Sequence, residues 1–217
     1  MSQITAEKTV APRPDPYARL APLYDLLLGP VIDPLRDAVC DVAREIGARR
    51  VVDLCCGTGR QVSMLADMGC QAVGVDLSPA MLDQARRNRP DLDFRLADAA
   101  AAPFPDAAFD LCVVSLALHE MPPAGRDGVM TEAKRLVGEN GRIIAVDYVM
   151  PRNVGDRAVH LLMRLPERLA GREHYRNYLD FMRRRALYAL LVRHQLLIRK
   201  RESFFWGAAG LALCAPA

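Results

Sequence analysis

Lysine is scarce in this chain of 217 residues, supplying three of 29 basic side chains and leaving the rest to arginine. Tryptophan occurs once and aromatic residues make up 6%. No base-stacking cluster accompanies the arginines, so nucleic acid is not an expected partner. A long apolar run is missing too. The longest, 204–217, has 14 residues interrupted by two glycines and a proline, short of the roughly 20 that a membrane-spanning helix needs. The first 16 residues are polar and contain no apolar signal core, which sets the expectation of a cytoplasmic protein with reduced thiols. The six cysteines follow no zinc-ligand spacing, so no metal is expected; Cys112 and Cys214 lie inside apolar runs as small buried hydrophobes. Internal repeats are absent, and the only low-complexity tract is 99–102.

Hydrophobic residues make up 51% of the chain and charged residues 25%, as in one ordinary globular domain. The net charge of +3 is unevenly spread: the segment 164–202 holds eleven arginines or lysines against four acids. Such an excess suits contact with an anionic surface.

The pattern of apolar positions divides the chain. Residues 1–16, with Pro12, Pro14 and Pro16, predict a flexible arm. Tyr17, Leu20, Tyr24, Leu27 and Leu28 predict one helix, broken at Gly29-Pro30; Asp33-Pro34 restarts a second, carrying Leu35, Val39, Val42 and Ile46 to a stop at Gly47. Together, 17–48 reads as a helical cap. The stretch Val51-Val52-Asp53-Leu54-Cys55-Cys56-Gly57-Thr58-Gly59-Arg60 then reads as strand, tight loop and helix start. Further strands are expected at 71–76, 92–97, 109–114 and 141–147, with helices between them, one of them capped by Ser78-Pro79. This alternation over 49–150 predicts an α/β fold with an open parallel sheet. The segment 151–195 reads as an insertion holding helices over 159–169 and 175–197, and 196–217 as two terminal strands, at least one antiparallel.

Two ligands suit the first loop. A dinucleotide wants G-x-G-x-x-G, but here the third glycine slot holds Val62. Asp53, at the strand end, opposes a pyrophosphate and suits a cationic ammonium group such as that of S-adenosylmethionine. Asp76, 19 residues after Gly57, can accept from both ribose hydroxyls. The residues favour the methyl donor.

Asp-Leu-Cys-Cys-Gly-Thr-Gly, Gly-Val-Asp-Leu-Ser-Pro-Ala-Met-Leu, and Ala-Asp-Ala with Pro-Phe-Pro-Asp before Phe-Asp resemble, in that order, the class I S-adenosylmethionine-dependent methyltransferases, most closely the ubiquinone/menaquinone-biosynthesis type. The resemblance covers about 17–150 and implies a Rossmann-like, mostly parallel seven-stranded sheet with an antiparallel edge. It implies that Asp53 engages the donor's amino group, that Gly57, Thr58 and Gly59 line its methionine and ribose side, and that Asp76 holds the ribose. Leu77 would lie against adenine, Asp98 and the main chain of Ala99 would meet its amino group, and Ser115 would close the pocket near the sulfonium. Arg60 departs from the pattern, standing where the quinone group usually has an acid.

The expected chemistry is in-line methyl displacement, which mainly requires orientation and exclusion of water. His119, after the fourth strand, is the candidate general base; Tyr24 and Tyr148 are candidates to border the acceptor or touch the donor. His174 and Tyr175 sit where substrate could be selected. The acceptor expected is a small lipophilic molecule, a quinone precursor or phospholipid headgroup, with the basic segment 164–201 as a peripheral membrane contact. The alternatives are a soluble metabolite as acceptor, or a non-catalytic sensor of the donor.

Overall fold

The structure is a computed structural model and describes residues 15, 17, 18 and 20–217. The arm expected over 1–16 lies, apart from Asp15, outside the described residues. Five runs form parallel strands: β1 (Arg50–Leu54), β2 (Gln71–Asp76), β3 (Asp93–Leu96), β4 (Leu111–Ser115) and β5 (Arg142–Tyr148), all but β3 containing two or more valines, isoleucines or leucines. Val51, Val52, Leu54, Leu111, Val113 and Ile144 are fully buried, because a central parallel strand is covered on both faces and needs apolar residues pointing both ways. Two antiparallel strands follow, β6 (Leu196–Phe204) and β7 (Ala209–Pro216). The sheet order is β3-β2-β1-β4-β5-β7-β6, so β7 is inserted between β5 and β6. On the edge strand β6, after the buried Leu196, exposed and half-buried residues alternate.

Helices cover both faces. On one, Leu35, Val39 and Val42 of α1 (Tyr24–Glu45), Val62 and Leu65 of α2 (Arg60–Asp67) and Leu82 of α3 (Pro79–Asn88) pack over β1 and β4. On the other, Val129, Met130 and Leu136 of α4 (Pro123–Val137) join Leu187 and Leu190 of α7 (Ala186–Arg193). Between them in the chain lie α5 (Val154–Leu169) and α6 (Arg172–Arg183). Ser78 caps α3 as expected, its hydroxyl accepting from the Met81 N–H.

Three local expectations are corrected. The cap is one helix rather than two, since α1 runs through Gly29-Pro30 and Pro34. Each proline removes one helical hydrogen bond, from the carbonyls of Leu26 and Pro30. Both of those residues are exposed, so water can serve the freed oxygens, and burial of Leu35, Val39, Val42 and Ala43 further along holds the helix together. The helix expected over 175–197 is two. Arg185 takes a left-handed conformation (φ 70°), turning α7 onto β5 and β6 while Tyr178 and Phe181 of α6 bury near the end of β4. Finally, α5 starts at Val154, earlier than expected, because the Asn153 side chain caps it by accepting from the Asp156 N–H.

Candidate functional site

The strand order reverses between β1 and β4, and in open α/β sheets the ligand crevice lies outside the carboxyl ends of the strands at that point. The loop leaving β1 is built for close approach. Gly57 (φ 54°) leaves open space where a side chain would project. Gly59 (φ 72°) is packed so tightly that a Cβ would lie 2.5 Å from the Phe94 ring. The Asp76 carboxylate fastens this loop, with Oδ2 accepting from the Gly57 N–H at 2.8 Å and Oδ1 from the Ser78 N–H at 2.8 Å. Burial raises the pKa of Asp76 while these backbone donors oppose the rise.

A cavity of about 60 Å³ opens beside the loop, walled by Tyr24, Asp53, Cys55, Gly57, Thr58 and Ser115. Asp53 is buried, and its Oδ1 has no hydrogen-bond partner among the described residues. Burial pushes its pKa up to about 8, with Asp76 adding to the rise and Arg36 opposing it. A buried carboxyl oxygen without a donor is costly unless a ligand supplies one. The Thr58 hydroxyl is already committed to Asp25 of α1 at 3.0 Å. Leu77 is 64% exposed at the end of β2. Asp98 is exposed, with one oxygen bonded to the Ala100 N–H, and Ala99 beside it is buried. Arg60 is tied to Asp33 of α1 by two bonds of 2.8 and 2.6 Å, which gives the unusual cation at this position a structural partner. A larger cavity of about 270 Å³ lies between α1 and α2, lined by Asp25, Asp33, Asp37, Arg60 and Asp67. It lacks Asp53 and Gly57, which line the smaller one.

Past β4, a single turn (Leu118–Glu120) presents His119 and Glu120 to a second cluster. The His119 ring Nδ1 is 2.8 Å from Asp147 Oδ1, and its backbone N–H donates to Asp147 Oδ2 at 3.1 Å. Asp147 is fully buried near the end of β5. Burial works against a charge on His119, but Asp147, Glu120 and Glu167 outweigh it and hold the pKa at about 9. The Tyr148 hydroxyl donates to Glu167 of α5 at 2.7 Å, and His174 of α6 meets the same carboxylate at 2.5 Å. Burial opposes ionisation of Glu167, yet these partners and His119 pull its pKa below the usual range. Tyr17 donates to Glu120, whose pKa burial raises. Burial and Glu120 push Tyr24 up to about 12.

The structure thus gathers Asp53, Gly57, Thr58, Asp76 and Ser115 at one crevice and His119 with Tyr148 at an adjoining cluster. His174 joins that cluster, while Tyr175 stacks on Tyr178 with ring centroids 6.2 Å apart. Asp147, Glu120, Glu167 and Tyr17 were not singled out from sequence. Only Asp147, an acid at the end of an apolar strand, left a signal there.

A family model described as a methyltransferase domain matches residues 51–141. A demethylmenaquinone methyltransferase of Renibacterium salmoninarum is 31% identical over 183 residues, covering 79% of this chain and 74% of that protein. An uncharacterized methyltransferase of Synechocystis is 37% identical over 105 residues, 48% of this chain and 50% of that protein. The matched region therefore spans between half and three quarters of these relatives. Among solved structures, the PH0226 protein of Pyrococcus horikoshii aligns with a TM-score of 0.67 at 20% identity, over 93% of this chain and 98% of that one, a likeness of fold. Motif order, sheet topology and these relatives agree: the chain belongs to the class I S-adenosylmethionine-dependent methyltransferases, in the quinone-biosynthesis group.

Proposed function

We propose that the protein transfers a methyl group from S-adenosylmethionine to a small lipophilic acceptor, with a quinone precursor as the best fit. The unpartnered Oδ1 of Asp53 in the β1–β4 crevice carries this reading, since it matches a ligand bearing an ammonium group. S-Adenosylmethionine, when bound, supplies a methyl group made electrophilic by its sulfonium. Asp53 would hold the ammonium, and the remaining lone pairs of Asp76 the ribose hydroxyls. Leu77 offers apolar surface to adenine, and the free oxygen of Asp98 can accept from its amino group. His119, Tyr24 and Tyr148 would border the acceptor, and in-line displacement then needs orientation and exclusion of water.

Turnover of labelled donor against a panel of quinols, phospholipids and amines tests the reading. Methylation of a quinol is expected; donor binding without turnover on any of the panel would make the chain a sensor. Asp76→Ala is expected to weaken S-adenosylhomocysteine binding by about 100-fold or more, since charged acceptor bonds contribute ~1.5–3 kcal/mol each. Calorimetry on the folded variant checks this, and unchanged affinity would show that the ribose lies elsewhere.

The lipophilic acceptor is supported by the surface of α5. Val154, Leu161, Leu162, Leu165 and Leu169 are all 59–79% exposed, flanked by the exposed Arg157, Arg164 and Arg168. An apolar stripe edged by arginines suits an anionic bilayer surface. Elsewhere in the basic segment part of the charge is paired: Arg184 with Asp180, and Lys200 with Glu45 and Glu202. No helix among the described residues is long and apolar enough to cross a membrane. Co-sedimentation with anionic vesicles at low salt is expected, and Leu161→Glu/Leu165→Glu should abolish it. Binding that persists in that variant, or no binding by the unaltered chain, would remove α5 from the reading.

A further inference from the structure

We propose that His119, Glu120 and His174 form a binding site for one divalent transition-metal ion beside the donor crevice. The argument begins with the two imidazoles. His119 commits Nδ1 to Asp147 at 2.8 Å, and His174 commits Nε2 to Glu167 at 2.5 Å. Each ring is thereby oriented by a carboxylate through one nitrogen, and the other becomes a ligand when the ion displaces its proton. Both free nitrogens face Glu120: His119 Nε2 is 3.9 Å from Oε1, and His174 Nδ1 is 4.0 Å from Oε2. Neither nitrogen makes a hydrogen bond among the described residues. A carboxylate behind each metal-binding histidine is the usual outer-shell arrangement, fixing the tautomer and the ring direction.

The spacing fits a metal. Two ligands at about 2.1 Å from an ion lie roughly 3.4 Å apart in a tetrahedron and at most about 4.2 Å apart. One ligand atom from each of His119, Glu120 and His174 lies within 4.8 Å of the others, so an approach of up to about 1.4 Å between ligand atoms, shared among the side chains, would close the site. The rings are crossed at 75° with centroids 5.6 Å apart, and so approach from different directions. Glu167 Oε2, which holds the His174 ring, is also 3.5 Å from His119 Nε2 and ties the two imidazoles together. Three acidic side chains, Glu120, Asp147 and Glu167, meet two imidazoles in this buried pocket, an excess of negative charge that a dication offsets. Two imidazoles with a carboxylate select zinc, manganese, iron or cobalt over magnesium or calcium, which prefer oxygen ligands throughout.

His119 and His174 were each marked in the sequence for other roles, but 55 residues part them on two elements, and no cysteine accompanies them to suggest a metal. Its role rests on the methyl-transfer reading. Glu120, which Tyr17 also bonds, is near enough to Tyr24 of the crevice wall to raise its pKa, so an ion held there could take an acceptor oxygen. Binding of the ion does not rest on that reading.

The test uses the full chain, stripped with a chelator and titrated with Zn²⁺ by calorimetry and with Co²⁺ by visible absorption. One equivalent is expected, with a cobalt spectrum free of thiolate charge-transfer bands. His174→Ala and Glu120→Gln should each weaken binding by about 100-fold, and Asp147→Asn by about 10- to 100-fold through the ring it orients. Glu120→Gln keeps the shape of the side chain and serves if His174→Ala does not fold. Absence of saturable binding of either ion, affinities unchanged in these variants, or thiolate bands in the cobalt spectrum would overturn the site. One-equivalent binding with no turnover on any acceptor would leave the metal site standing and remove the methyl-transfer reading; turnover by metal-free protein with no metal binding would do the reverse.

Discussion

Asp53→Asn is expected to stabilise the ligand-free protein at pH 8 while weakening donor binding by about 100-fold, two effects of opposite sign from one carboxyl. In the folded chain the Asp53 pKa stands at about 8; in the unfolded chain it returns to about 3.9. Between those values folding takes up a proton, so stability is greatest below about pH 4 and falls as pH rises toward 8. The asparagine variant lacks this slope. Its stability relative to the parent should therefore grow by an order of a few kcal/mol between pH 4 and 8. Unfolding by denaturant across that window checks it, and a constant difference would show that Asp53 is ionised in the folded state. The same ionisation links to the ligand. If the carboxylate meets an ammonium, donor binding near pH 7 releases a proton, measurable as a binding enthalpy that varies with the ionisation enthalpy of the buffer. The neutral amide should lose affinity for S-adenosylhomocysteine by about 100-fold.

Asp147→Ala should cost the fold about 3–5 kcal/mol, the usual penalty for removing one partner of a buried charged pair. Asp147 accepts from the backbone N–H of His119, from that of Tyr148 at 2.7 Å, and faces the His119 ring at 2.8 Å. All three groups would be left in a pocket where the missing carboxylate is inaccessible to solvent. The melting temperature should fall by roughly 10 °C. A loss of less than about 1 kcal/mol would mean that water replaces the carboxylate and that the cluster is wetter than its burial indicates.

Much of the β1–β4 crevice was legible in the sequence, because its residues lie at the ends of successive strands in chain order. Asp53, Gly57 and Asp76 are separated by a loop and a single helix, and strand periodicity located them. The adjoining cluster was less legible. His119, Glu120, Asp147, Glu167 and His174 meet only after the chain has crossed the sheet and returned, and nothing local marks Glu167, which stands between Pro166 and Arg168 on a leucine-rich helix. The continuity of α1 was hidden as well, since Gly29-Pro30 carries the chemistry of a stop and only the packing further along overrides it. The case of α5 is the most instructive. Its spacing shows which residues share a face but not which way that face points, and here Asp156, His160 and Glu167 point inward while the leucines point out. Periodicity assumes that the apolar side seeks the core; a helix whose polar side furnishes a pocket reverses the rule.

The insertion of β7 between β5 and β6 bears on synthesis. β5 carries five consecutive buried residues and pairs on one side with β4 and on the other with β7. Until β7 leaves the ribosome, about 60 residues later, β5 presents an apolar strand with open backbone groups. At ~5–20 residues per second that interval lasts roughly 3–12 s. The nascent chain therefore passes through a stage in which its stickiest edge is bare, and covering that edge in time is a task for chaperones or for early packing of α7.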